Sequence, residues 1–198
     1  MPDYAPLLER SFARAPEEAS YEVRAVRGAV PDYVRGTWYL NGPARFSRGG
    51  RAYRHWLDGD GMVCAVRFEG GRVHFASRYV GTAKLAAEEE VGRFLFRAFG
   101  TAFLDDRLRR GLATESPANV SVYPYAGTLL AFGENSLPYE LDPLTLATRG
   151  PFSFGGQLNE VSPFGAHPKF HPGSGDLLNF GVSFSVREPC LHLYRFAG

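Results

Sequence analysis

Residues 62–79 read MVCAVRFEGGRVHFASRY, and this stretch decides the fold class. Two β-rich runs, Met62 to Phe68 and Arg72 to Tyr79, flank Glu69-Gly70-Gly71, where the glycines supply the positive φ angles that a tight hairpin demands. The same grammar extends in both directions. Upstream, Thr37 to Leu40 predicts a strand closed by Asn41-Gly42-Pro43, and Arg51 to Trp56 another, closed by Asp58-Gly59-Asp60-Gly61. Downstream, strands are expected at Asn119 to Tyr123, Thr128 to Phe132, Tyr139 to Leu141, Phe152 to Phe154, Asp176 to Phe184 and Leu191 to Phe196. Residues 84–110 break the pattern. Leu85, Val91, Leu95, Phe99 and Phe103 are spaced for one apolar helical face, so a helical excursion is predicted there, interrupted at Gly100. Residues 1–20, polar and punctuated by proline, read as a lead-in, with ordered pairing beginning near Tyr21 to Val26. Short strands at regular spacing mean a sandwich, barrel or propeller, and no strict repeat chooses among them. The chain stops at Gly198 just after a strand, so residues 1–198 are expected to form a single incomplete domain.

Composition narrows the function classes. With 44% hydrophobic and 14% aromatic residues the 198-residue chain can bury a real core, which excludes disorder and disulfide scaffolds. Basic and acidic side chains, 22 and 21, nearly cancel, and no Lys/Arg block tracks a phosphate backbone, so nucleic acid is not an expected partner. Cys64 and Cys190 have no CxxC neighbour and are expected as small buried side chains in a reducing, cytoplasmic setting. No apolar run of about 18 residues occurs, so any membrane contact is expected to be peripheral.

Asp58-Gly59-Asp60-Gly61, with Glu69 at the twelfth position, imitates a calcium loop. It fails because the sixth position is Val63 where glycine is needed, and because a strand begins at Met62; a tight acidic turn is the better reading. In Gly165-Ala166-His167-Pro168-Lys169-Phe170-His171-Pro172 two histidines stand four apart. Prolines forbid a helix there, and an extended chain separates such side chains by about 13 Å, so at most one of them ligates a given ion. Taken alone, a histidine is more often a hydrogen-bonded structural residue than a ligand, and this covers His55, His74 and His192 as well. Glu134 and Glu140 flank a proline turn and read as solvated carboxylates. No GxSxG elbow, P-loop, GxGxxG or HExxH is present, so no nucleophile or acid–base residue is singled out.

Five stretches in register resemble the carotenoid cleavage oxygenase family. Val34-Arg35-Gly36-Thr37-Trp38-Tyr39-Leu40-Asn41-Gly42-Pro43 is similar to its opening L-x-G-x-x-x-R-N-G-P strand, with Leu40 where arginine is common. His55-Trp56-Leu57-Asp58-Gly59-Asp60-Gly61-Met62 resembles H-W-F-D-G-D-G-M, and Ser77-Arg78-Tyr79-Val80-Gly81-Thr82 resembles N-R-F-V-x-T. Leu137-Pro138-Tyr139-Glu140-Leu141-Asp142-Pro143-Leu144-Thr145-Leu146 resembles L-P-Y-E-L-D-P-x-T-L, and Ala166-His167-Pro168-Lys169 the family's A-H-P-K.

The resemblance implies an all-β fold, the N-terminal part of a seven-bladed β-propeller whose axis holds Fe2+ on four histidines from different blades. His167 matches the first of the four; His171 matches none. Glu134 matches a glutamate that accepts the N–H of a different iron histidine, beyond residue 198, and Val120 sits where many members carry threonine beside an open iron position. Four neutral imidazoles suit a borderline iron(II), and a carboxylate behind an imidazole fixes its tautomer. The implied activity is an Fe(II)- and O2-dependent dioxygenase that splits one double bond of a carotenoid or apocarotenoid into two carbonyl products. Stilbene cleavage and an isomerase within the same fold remain alternatives. So does a non-catalytic propeller fragment that binds a lipid or a protein partner, since three of the four expected ligands lie outside these residues.

Overall fold

Thr128–Phe132 (TLLAF) is buried at every position. A strand with no polar face must be covered on both sides, and the two sides here go to different neighbours. Leu129 and Ala131 pack with Val63, Ala65 and Val80, whereas Leu130 and Phe132 pack with Phe164, Leu177 and Phe196. This strand therefore belongs to a middle sheet stacked between two others.

The computed structural model describes residues 10, 12–13, 15–107, 116–134, 136–184 and 188–198. The first sheet is built from β1 (Ala19–Glu22), β2 (Gly36–Arg45), β5 (Asp60–Glu69) and β6 (Arg72–Tyr79), in the order β1-β6-β5-β2. A two-stranded ribbon, β3 (Ser47–Arg48) with β4 (Arg51–Ala52), stands beside it. The middle sheet runs β10-β9-β8-β7, from β7 (Ser121–Tyr125), β8 (Thr128–Phe132), β9 (Tyr139–Leu141) and β10 (Thr148–Pro151). The third runs β11-β12-β13, from β11 (Lys169–Phe170), β12 (Leu177–Phe184) and β13 (Pro189–Phe196). All strand pairs are antiparallel and between sequence neighbours except β1 with β6 and β2 with β5. These are successive meander sheets stacked face to face, a partial β-propeller, and the expected all-β class holds.

The hairpin of residues 62–79 forms in the expected register, Met62 opposite Tyr79 and Glu69 opposite Arg72, with Gly70 and Gly71 at φ 56° and 74°. Pairing starts slightly earlier than expected, at Ala19, and the lead-in falls partly outside the described residues.

Five expectations need correction. The strand expected at Thr37 to Leu40 does not close at Asn41-Gly42-Pro43: β2 runs through these residues, which lie opposite Val63, Met62 and Gly61. The helix, α1 (Ala83–Val91), covers only the start of the excursion: Thr82 caps it by accepting from Leu85 N–H, and Gly92 ends it in the left-handed region at φ 68°. Beyond Gly92 the apolar residues pack without helical period. Phe94 stacks on Tyr53 at 3.8 Å, Phe103 lies against both, and Val91 and Phe99 face outward. Residues 108–110 lie outside the described residues. The strand expected at Phe152 to Phe154 is instead β10, just before it; Phe154 takes φ 54° and turns its ring into the cluster with Phe164 and Phe196. The strand expected over Arg51 to Trp56 ends at Ala52, and Trp56–Asp58 form a 3-10 turn capped by His55, whose Nδ1 accepts from Leu57 N–H. Cys190 is exposed because it lies near the start of β13, beyond the part of that face that Tyr194 and Phe196 bury, and Cys64 is half-buried on the face of β5 turned away from Val63 and Ala65.

Candidate functional site

The acidic turn between the 3-10 turn and β5 organises one end of the stack. Asp58 is buried, and its carboxylate accepts from Gly100 N–H at 2.8 Å and Thr101 Oγ1 at 2.5 Å, tying the loop after α1 to this turn. Gly61 is required for a close approach. A Cβ there would stand 2.2 Å from the carbonyl oxygen of Ala118, and its own N–H donates to Pro117 O at 2.9 Å. Two asparagines complete the clamp on residues 117–121: Asn119 Nδ2 donates to the carbonyls of Leu57 and Gly59, and Asn41 Nδ2 to those of Ala118 and Ser121. The D-G-D-G motif thus fixes neighbouring backbone, and the strand expected from Met62 begins within it, at Asp60.

Asp60 points the other way, into a buried charge cluster. Lys84 Nζ lies 2.6 Å from Asp60 Oδ1 and 2.8 Å from Glu88 Oε2, with Arg48 3.8 Å from Asp60 Oδ2. The other oxygen of Glu88 accepts from Leu95 and Phe96 N–H, which holds the chain just past α1. Burial alone would push the Lys84 ammonium down, but Asp60 and Glu88 outweigh it and hold it above the usual lysine range. Burial also pushes the neighbouring Tyr53 phenol up. The sequence reading missed this cluster. The i,i+4 spacing of Lys84 and Glu88 signals a pair, but nothing local shows that it is buried.

Between these clamps opens a hollow of about 480 Å³ with apolar walls that include Leu57, Phe99, Pro117 and Val120. Val120 is half-buried and anchored by its N–H to Phe132 O at 3.0 Å. Glu134 enters the same hollow from the end of β8. Its Oε1 lies 2.9 Å from His167 Nε2, and its Oε2 accepts from Ala166 N–H at 3.2 Å. The loop carrying His167 is itself clamped, with Asn179 Nδ2 donating to Gly165 O and Ser121 Oγ donating to Ala166 O. Gly165 N–H donates to Phe180 O, and an added Cβ at Gly165 would come within 2.9 Å of that oxygen. Of the three residues singled out by resemblance, Val120 and Glu134 thus line one hollow, and Glu134 is set against His167 in this chain. Both side chains stay open, 48% and 58% exposed.

The other histidines do local work. His171 Nδ1 accepts from Ser174 N–H in the turn after β11, His192 meets Ser183 Oγ at 2.9 Å, and His74 lies 3.4 Å from Ser20 Oγ. Glu140 pairs with Arg149 and leaves the site alone.

Residues 12–198 match the family model described as retinal pigment epithelial membrane protein, RPE65. The chain belongs to this carotenoid oxygenase family. An isoeugenol monooxygenase of Pseudomonas nitroreducens is 42% identical over 156 residues, 79% of this chain and 32% of that protein. The apocarotenoid-15,15'-oxygenase of Synechocystis is 36% identical over 185 residues, 91% of this chain and 36% of its own length. A solved variant of the Synechocystis apocarotenoid oxygenase superposes with a TM-score of 0.82 at 30% identity, covering 100% of this chain and 46% of that one. The chain thus spans about a third of the length of the curated relatives it matches. Among the described residues of this carotenoid oxygenase chain no group of three or more His, Cys, Asp or Glu side chains could hold a metal ion. The donor chemistry present fits one ligand of a shared site, a single imidazole with a carboxylate on one of its nitrogens. No helix among the described residues is long and apolar enough to cross a membrane.

Proposed function

We propose that this chain forms part of an Fe(II)- and O2-dependent oxygenase that cleaves a conjugated C=C bond of an apocarotenoid or stilbene-type alkene into two carbonyl products. The observation that carries the reading is the Glu134–His167 pair at an apolar hollow, within a chain of the carotenoid oxygenase family. His167 would supply one imidazole to the iron. Glu134 would hold the imidazole arrangement by accepting a ring N–H, and its second oxygen, on Ala166 N–H, keeps the carboxylate fixed to the loop it orients. Val120 would present an apolar surface where a hydroxyl would otherwise compete for hydrogen bonds. Leu57, Phe99 and Pro117 would hold the alkene and exclude water. When bound, iron(II) supplies the activation of dioxygen.

The test is to incubate the full protein with an apocarotenal and with a hydroxylated stilbene under labelled dioxygen, with and without an iron chelator. The reading expects label in carbonyl products and loss of turnover with the chelator. Rearranged substrate with no oxygen uptake would establish the isomerase alternative instead. Absence of both turnover and bound iron would return the chain to a binding propeller.

A further inference from the structure

We infer that the hollow favours alkenes that carry a carboxylate, and that Arg97 at its rim recognises that group. The inference rests on the functional reading above and adds the substrate's polar end. Among the described residues, four charged side chains reach the hollow, and three are already committed. Asp58 is taken by Gly100 and Thr101, Lys84 by Asp60 and Glu88, and Glu134 by Ala166 and His167. Arg97 is different. Its backbone N–H donates to Arg107 O at 2.8 Å, beside the Phe96–Arg107 bridge, which holds the loop in place. Its guanidinium is exposed and has no hydrogen bond or ion pair among the described residues.

Among the described residues, the acids on the neighbouring loop are engaged elsewhere. Asp105 binds Arg51 and Arg93, and Asp106 accepts from Phe103 N–H. A cation on a held backbone at the edge of an apolar cleft selects ligands with an apolar body and an anionic end, and the planar guanidinium fork matches a carboxylate in bidentate fashion. An uncharged hydrocarbon would leave that capacity unused, and an amine would be repelled. Phe99, two residues on and 78% exposed, offers the ligand's apolar body a ring face beside the cation.

The probes are trans-stilbene-4-carboxylate and its methyl ester, which differ in charge but scarcely in apolar surface. Binding to the full protein is read by stilbene fluorescence, independently of iron and turnover. The acid should bind about three- to tenfold more tightly than the ester, a margin that narrows in about 0.5 M salt. Arg97→Gln should abolish the margin with the ester unchanged, and Arg97→Lys, which keeps charge but loses the fork, should retain part of it. Equal affinity for acid and ester in the parent protein, or an undiminished margin in Arg97→Gln, overturns the inference and leaves the oxygenase reading standing. Failure of both stilbenes to bind the parent also overturns the inference, while turnover of the apocarotenal decides the oxygenase reading separately.

Discussion

Two clusters of charge border the same hollow, and they are finished to different degrees. Lys84, Asp60 and Glu88 have side chains 3%, 1% and 0% exposed, and their charges are met by one another, by Arg48 and by nearby backbone. Glu134 and His167 are about half exposed, and their carboxylate–imidazole contact leaves both side chains open to further partners. A charge buried among its counter-charges is closed off from a ligand, so its work is architectural: Lys84 and Asp60 lock α1 against the start of β5. An open pair on a clamped loop has fixed position and spare valence, which is what a ligand site needs. Burial therefore separates scaffold from site more sharply than residue type does.

The contrast breaks if the buried cluster proves dispensable. Lys84→Ala would leave two carboxylates buried without their cation, and unfolding in urea should show a loss of about 3–5 kcal/mol. Replacing the group together, as Lys84→Met with Asp60→Asn and Glu88→Gln, should cost less than the single substitution, since no charge is then stranded. A single variant as stable as the parent would mean that the cluster is solvated in solution.

The clamp beside it gives the next effect. Gly61→Ala drives a methyl group against the Ala118 carbonyl and should lower stability by about 1–3 kcal/mol in the same denaturation experiment. An unchanged midpoint would show that residues 117–121 yield freely, and Val120 would then not be held in place.

Glu134→Gln sharpens the comparison from the other side. The exposed pair contributes less than about 1 kcal/mol to folding, so the unfolding curve should scarcely move. Iron affinity of the full protein, measured by competition with a chelator, should instead weaken by about 10- to 100-fold. A large loss of stability with unchanged iron affinity would reverse the roles assigned to the two clusters.

The smallest effect concerns acid. Thr145 and Leu144 N–H groups, helped by Arg149, hold the partly exposed Asp142 carboxyl at about 2. A depressed carboxyl stabilises the fold above its ordinary range near 3.8 and loses that contribution as pH falls through about 2. Carboxyl NMR of the β9–β10 turn should therefore show a midpoint near 2, and a midpoint near 4 would mean that the turn is open in solution.

Much of this architecture was legible in the sequence because hairpins announce themselves locally. Glu69-Gly70-Gly71 sets a register that the structure keeps, and the Tyr139 to Leu141 and Thr128 to Phe132 runs became strands with those bounds. The excursion was misjudged because Leu85, Leu95 and Phe103 satisfy a helical period while being buried by different partners, and because Gly92 ends the helix early. For the site, His167, Glu134 and Val120 were reachable through resemblance, which records chemistry without geometry. The Asp60–Lys84 pair and the clamps by Asn41 and Asn119 join residues 24 to 80 positions apart, and no local pattern encodes such contacts.

The central claim is that the open pair, and His167 in particular, belongs to an iron site. It is tested most directly by iron content of the full protein, comparing the parent with His167→Ala and His171→Ala, each checked for an intact thermal transition. The account predicts stoichiometric iron in the parent and in His171→Ala, whose imidazole serves only its own turn, and loss of iron from His167→Ala without unfolding. Full iron in His167→Ala, or its loss from His171→Ala alone, would contradict it.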